Sequence, residues 1–440
     1  MDAVAKERKD LAPDTLYRLV HAIFDDVPDQ RPGKPPIPLA DALMAAFAVF
    51  ILKAPSLLAF DEQRRNNEFN LKAIFGLTAI PCDTQMRTIL DDVSPSELRP
   101  AFTAVFRQLQ RGKALEPFVF FQGHYLLALD GTNHFCSEKI SCPCCLEKKS
   151  RNGKTSYYHQ MLGACLVHPD LKEVIPLCPE PIIKQDGDTK NDCERNATRR
   201  FLEPFRREHP KLPVIVIEDA LSANAPHLED LQTHDCRFII GIKPGSHGFL
   251  FTQMQAAAES GQARVLTLFD EKGSIQHYRW LEKAALNESN QAVLVTMLEY
   301  WEIPPKGPMR QFSWITDLPV NDDTVAEIAR GGRCRWHIEN ETFNTLKNQG
   351  YHFEHNFGHG KKYLAVVFAL LMMLAFLVDQ TMQLCDLLFQ SLWKKLGTKR
   401  SVWERVRGLF DNFHLTSMRQ LHELLLLNYK ATPPLAINGT

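Results

Sequence analysis

The sequence predicts an α/β protein: a mixed sheet flanked by helices, carrying a β-rich insertion and bracketed by helical N- and C-terminal regions. Three observations predict it. Between His124 and Lys243, short apolar runs and helical patterns follow one another in the order β-β-β-α-β-α-β. Residues 245–319 read as strands divided by Gly, Asn or Pro breaks. Before residue 115 and after residue 360, apolar residues recur at helical spacing.

Composition sets the class. A chain of 440 residues with 45% apolar and 23% charged residues is ordinary for a globular protein and long enough for two or three packed units. Eleven cysteines behind the polar start MDAVAKERKD do not read as a secreted disulfide framework, so a reduced, cytoplasmic protein is expected. A net charge of -1 argues against coating nucleic acid through bulk electrostatics. Local basic clusters remain: Arg195, Arg199, Arg200, Arg206, Arg207 and Lys211 in one, and Lys394, Lys395, Lys399, Arg400, Arg405 and Arg407 in another. Each reads as a solvated helix face or as a set of phosphate contacts.

The elements follow in order. Residues 1–115 form a helical region, in which Asp41 to Lys53 is apolar nearly all round and therefore buried. Ser94 and Glu97 make a capping box that opens a helix with Leu98, Phe102, Val105, Phe106 and Leu109 on one face. HYLLALD, ending in Asp130 and broken by Gly131, is a strand buried on both faces. Ser156 to Pro169 and Lys172 to Cys178 should lie antiparallel to it, and Asn191 to Pro210 is a helix closed by Pro210. Val214 to Ile217 is a second buried strand, followed by Asp219, a helix from Ala223 and a strand over Arg237 to Lys243. The core is thus expected over 116–244 and 320–390, the β-rich subdomain over 245–319 and a helical region over 391–440. Tyr363 to Val378 falls short of the run of about 18 apolar residues a membrane span needs, and reads as a buried core helix.

Carboxylates carry the candidate chemistry. Polar groups at the carboxyl ends of buried parallel strands face a common crevice, so Asp130 and Asp219 can sit side by side. Either alone is an ordinary strand terminator or cap. Two together repel unless a divalent cation neutralises them, and hard oxygen ligands favour Mg²⁺ or Mn²⁺. A third acid comes from the helix expected over Cys334 to Gly350. Glu339 and Glu341 lie about 200° apart on it, so only one can join the pair. Arg335 shares the face of Glu339 at i−4, which favours Glu339. Glu218 should point away by strand alternation; Asp186, Asp188, Asp192 and Glu194 read as loop and helix-start charges.

LALDGT around Asp130, VIVIEDAL around Asp219 and RCRWHIENETF around Glu339 together resemble the DDE transposases of bacterial insertion sequences, over about residues 120–380. The resemblance implies a ribonuclease H-like core with a β-rich insertion between the second Asp and the Glu. It implies that Asp130, Asp219 and Glu339 hold the Mg²⁺ or Mn²⁺ ions with which such enzymes cut and join DNA at element ends. The partners it implies are terminal inverted repeats and target DNA, bound by a homodimer. In the branch with a Tyr-Arg-Glu-Lys signature, Arg335 and Glu339 match, and Arg and Lys contact end phosphates. Gly332 stands at the Tyr position and Leu346 at the Lys position; Lys347 is one residue late, about 80° off the face of Glu339 on a regular α-helix. Arg335, Lys347, Arg199, Arg200 and Lys361 are the DNA-contact candidates. His352, His355 and His359, with Asn356 and Lys361, read as contacts to the DNA backbone, as neighbours of the metals, or as surface or locally bonded histidines. Trp280, Trp301 and Trp314 of the insertion read as core residues or, by the resemblance, as a stacking platform for a base.

A cysteine cluster follows the first aspartate. Cys136, Cys142, Cys144 and Cys145 fall within ten residues and include a C-x-x-C pair. With His159, the residues Cys136, Cys142 and Cys145 would make a four-ligand structural Zn²⁺ site; the other reading is a loop of reduced thiols.

Overall fold

A computed structural model describes residues 9–184, 191–271 and 273–427. Asp186 and Asp188 lie outside them. The described chain is built on one mixed sheet of twelve strands: β1 (Val119–Phe121), β2 (His124–Ser137), β3 (Leu146–Lys149), β4 (Thr155–Val167), β5 (Ile175–Pro176), β6 (Glu180–Ile182), β7 (Val214–Glu218), β8 (Arg237–Gly241), β9 (Arg264–Phe269), β10 (Ile275–Ala285), β11 (Leu294–Ile303) and β12 (Arg310–Thr316). The main path runs β3-β4-β2-β7-β8-β12-β11-β10-β9. Only β2, β7 and β8 are mutually parallel, and they form its centre. All five residues of β7 are buried, as a strand covered on both faces requires.

Two strand expectations change. β2 does not stop at Asp130 but continues to Ser137, because its antiparallel pairing with β4 goes on after its parallel pairing with β7 ends at Ala128. Residues 175–176 pair with β4 rather than with β2. The β-rich block continues the core sheet, since β12 pairs antiparallel with β8 over Trp314–Thr316. That contact covers what would otherwise be an open edge.

Helices fill both faces and both ends. The N-terminal region holds α1 (Pro13–Asp25), α2 (Leu39–Ile51), α3 (Leu57–Asn66), α4 (Glu68–Phe75), α5 (Asp83–Leu90) and α6 (Arg99–Arg111). Every residue of α2 is buried. The capping box expected at Ser94 is not made: its hydroxyl bonds that of Ser96, a 3₁₀ turn covers Pro95–Leu98, and α6 begins only at Arg99. In the core follow α7 (Glu194–Glu208), α8 (Ala225–Thr233), α9 (Gly248–Glu259), α10 (Val325–Arg333) and α11 (Asn344–Asn348), then the long α12 (Leu364–Cys385). The last three are α13 (Leu387–Leu396), α14 (Lys399–Asn412) and α15 (Met418–Leu426).

α12 is longer than the apolar run suggested and by length and composition could cross a membrane, but its apolar stretch lies wholly inside the protein. It packs on α2, α6 and β5. Each of its buried Leu and Phe side chains contributes about 1.5–3 kcal/mol relative to exposure. Near its end Asp379 forms a buried ion pair with Lys53 at 2.6 Å, both side chains being fully inaccessible. Tyr351 donates to the same carboxylate, and the Lys53 ammonium lies over the Tyr351 and Trp403 rings at 4.2 and 4.3 Å. Four separate segments of chain therefore meet on one buried charge pair.

Candidate active site

The parallel register decides where the aspartates stand. Tyr125 through Ala128 of β2 lie opposite Val214 through Ile217 of β7. Carried two residues further, that register sets Asp130 opposite Asp219, at the carboxyl end of the parallel pair. The neighbouring Glu218 points the other way, by the alternation of a strand, and is buried against His227 with Nε2 and Oε2 2.5 Å apart. Asp219 turns the chain out of the strand, its carboxylate accepting from the amide of Leu221 at 2.9 Å.

Glu339 arrives from across the sheet. Arg335 Nη1 lies 3.1 Å from Asp130 Oδ2 and 2.7 Å from Glu339 Oε1, so one guanidinium bridges both carboxylates. Glu341 faces elsewhere, toward His337 and Lys399. Packing that brings the helix this close depends on Gly163, the β4 partner of Asp130. A methyl group there would come within 2.7 Å of two Phe343 ring carbons. We expect Gly163→Ala to destabilise the fold by about 1–3 kcal/mol through overpacking, measured as a shift in urea midpoint, and to displace Glu339.

Glu339 itself sits in a π-helical turn, Ile338–Phe343, in which the amide of Asn344 donates to the Glu339 carbonyl five residues back. Such turns add one residue to a helix and are frequent at functional sites. The extra residue has a direct consequence for Lys347. The offset of about 80° assumed an unbroken α-helix. With one residue absorbed, Lys347 takes the phase that position 346 would otherwise hold, and Leu346 is rotated into the core, where it is fully buried. Gly332 has an equally physical reason to lack a side chain, since a Cβ there would lie 2.5 Å from the Trp314 ring.

A fourth carboxylate, which the sequence reading placed among helix-start charges, joins the site from the opposite face. Glu194 opens α7, and its carboxylate accepts from Gln160 at 2.8 Å. A Cβ on Gly131 would fall 2.0 Å from Glu194 Oε1, so the missing side chain beside Asp130 makes room for this acid. Nothing local in the sequence signals it, because the contact joins residues 63 apart across two elements. The electrostatics record the crowding. Burial pushes the Asp130 carboxyl up to about 7; Arg335 opposes this, and Glu339 and Glu194 add to it. Glu194 is raised by burial and then by the charge of Asp219. Crowded, half-buried oxygen donors of this kind fit a hard divalent cation.

Beside Asp219 opens a cleft lined by Lys243, Trp314, Arg333, Arg335 and Trp336. Trp336 is 52% exposed. Trp280 and Trp314 are buried, and Trp301 lies beside Arg279 at 5.3 Å. The remaining basic candidates pair with other acids or face solvent: Arg199 pairs with Asp230, Arg200 with Glu180 and Asp192, and Lys347 with Glu354, while Lys361 is exposed.

Residues 122–377 match the family described as Transposase DDE domain. The chain belongs to that family. The match spans more than half of the transposase and contains all the acids described above together with the whole β-rich block. No curated protein matches the sequence. The ribonuclease H-like mixed sheet expected from the sequence is the fold observed.

One expected ligand set is corrected in the transposase. Cys142, Cys145 and His159 do come together, but Cys136 is exposed and outside the cluster, and His359 joins in its place. Strand alternation explains why. Phe135 is the β4 partner of His159, whereas Cys136 pairs with Tyr158, so its side chain points to the other face.

Proposed function

We propose that this transposase cuts and joins DNA strands at the ends of its element by metal-dependent phosphoryl transfer, with Asp130, Asp219 and Glu339 as the metal ligands. The observation that supports the reading best is the Arg335 bridge between Asp130 and Glu339, beside a parallel β2–β7 register that ends two residues short of Asp130 and Asp219. Bound to these carboxylates, two Mg²⁺ or Mn²⁺ ions would stabilise the attacking and leaving oxygens of an in-line displacement at phosphorus.

The protein's own groups do the positioning. Arg335 donates to both Glu339 and Asp130 and so aims the two carboxylates, and its remaining N–H donors suit a phosphate oxygen beside them. Glu194 presses on the Asp130 strand from behind. Lys243 and Arg333 line the cleft beside Asp219, where a DNA backbone would approach. Attack by water at a scissile phosphate leaves a 5′-phosphate on one side and a free 3′-hydroxyl on the other. That hydroxyl then attacks a target phosphodiester at the same acids, bonding the element's 3′-oxygen to the target's 5′-phosphate and releasing the target's 3′-hydroxyl. The substrates on this reading are the terminal inverted repeats and target DNA, held by a homodimer in the cytoplasm.

The test is a strand-transfer assay with Mg²⁺ or Mn²⁺ on DNA carrying the element's own terminal repeats. Joined product is expected. Hydrolysis without joining would identify a nuclease instead, and binding without cutting an inactive DNA-binding relative.

A further inference from the structure

The cluster on the β3–β4 side of the sheet lies away from the carboxylates and is used by no step above. Cys142 and Cys145 sit in the loop between β2 and β3, His159 on β4, and His359 in the segment between α11 and α12. The four donor atoms all lie within 4.8 Å of one another. The two sulfurs are 3.8 Å apart. His159 Nε2 lies 3.4 Å from Cys142 Sγ and 3.5 Å from Cys145 Sγ, and His359 Nε2 lies 3.2 Å from Cys145 Sγ.

These separations can be compared with the edges of a coordination tetrahedron. With Zn–S near 2.3 Å and Zn–N near 2.0–2.1 Å, the S···S edge is about 3.8 Å and the S···N edge about 3.5 Å. Four of the six edges match within about 0.3 Å, and the two others, from His359 to Cys142 and to His159, lie within 4.8 Å before any ion has drawn the ligands in. A disulfide between the two cysteines would instead need sulfurs at about 2.0 Å. Hydrogen bonding alone does not ask four donors from three distant segments to converge with both imidazoles presenting the same nitrogen. We propose that Cys142, Cys145, His159 and His359 bind a structural Zn²⁺ ion, with His359 the ligand that closes the site.

The choice of metal follows from the donors, because a closed tetrahedral set of two thiolates and two imidazoles selects zinc among the divalent ions. Cys144 is excluded as a ligand: its thiol donates to the Lys362 carbonyl at 3.0 Å. The consequence is a staple. His359 is separated from Cys145 by 214 positions, and the segment it belongs to is held on its other side by Asp91, whose carboxylate accepts from the amides of Lys361, Lys362 and Leu364 at 2.7–3.1 Å. A zinc ion would therefore fix the exit of the Glu339 helix to the loop that follows the Asp130 strand, and through Asp91 to the N-terminal helices.

Zinc content reads this directly and without DNA, so the proposal and the catalytic reading fail independently. Full-length protein purified without chelator from zinc-supplied cells should carry about one zinc per chain. Replacement by Co²⁺ should give the intense visible absorption of tetrahedral cobalt with two thiolates. His359→Ala and Cys142→Ser should each lose the metal, and Cys136→Ser should keep it. Removal of zinc from the wild type should lower its melting temperature. Absence of zinc from folded wild-type protein, an octahedral cobalt spectrum, or metal lost in Cys136→Ser and kept in His359→Ala would overturn the assignment. The wild-type cobalt spectrum decides the matter even if a ligand variant does not fold.

Discussion

Asp130→Asn is expected to lower strand joining by about 10³-fold while leaving binding of element-end DNA close to that of the wild type; losses of this size accompany removal of a group that acts mainly in the transition state. The change is nearly isosteric and keeps a hydrogen-bond acceptor for Arg335, so the Arg335–Glu339 pair should survive. It removes the charge and one of two acceptors, because the other carboxylate oxygen accepts from the Gly131 amide at 3.0 Å. Because burial and two neighbouring acids already press on the Asp130 carboxyl, loss of its charge relieves repulsion in the metal-free protein. The variant should therefore be at least as stable as the wild type without added metal, and inactive with it. Joining kinetics, a mobility-shift titration and a denaturation curve on one preparation check the three parts. Equal activity of variant and wild type would remove Asp130 from the chemistry.

Asp379→Ala is expected to cost about 3–5 kcal/mol of stability, the scale of removing one partner of a buried ion pair and leaving the other charge unpaired. Lys53 would remain in full burial, with aromatic rings on two sides and no counter-charge; burial already holds its ammonium below the ordinary lysine range. Tyr351 would lose its acceptor as well. Replacing both charges, as Lys53→Met with Asp379→Leu, should recover most of the loss, because well-packed apolar pairs are commonly as stable as the ion pairs they replace. Urea unfolding of the two single variants and the double variant measures this. A single variant as stable as the wild type would show that the pair does not hold the N-terminal, core and C-terminal helices together.

How far the sequence could lead depended on whether a signal was local. α2, β7 and α12 were legible because continuous apolar runs leave burial as their only outcome. Asp130 and Asp219 were legible together because each ends or follows such a run, and Glu339 was separated from Glu341 by the helical spacing to Arg335. What escaped was non-local or a matter of a single residue. Glu194 reaches the site only because Gly131 has no side chain, and His359 reaches Cys145 across most of the core. Nor does any hydrophobic period reveal the π-helical turn at Ile338–Phe343, past which Leu346 is buried and Lys347 pairs with Glu354. The extension of β2 past Gly131 depended on β4, which continues to supply partners after β7 has stopped.

The central claim, that Asp130, Asp219 and Glu339 act by holding divalent metal ions, is tested most directly by exchanging the ligand atom. With Asp130→Cys, joining should be abolished in Mg²⁺, which binds thiolate poorly, and recovered in large part in Mn²⁺, which accepts softer ligands. Asp130→Ala should stay inactive in both. Activity of the cysteine variant in Mg²⁺ equal to that of the wild type, or equal activity of the alanine variant in either metal, would contradict the account.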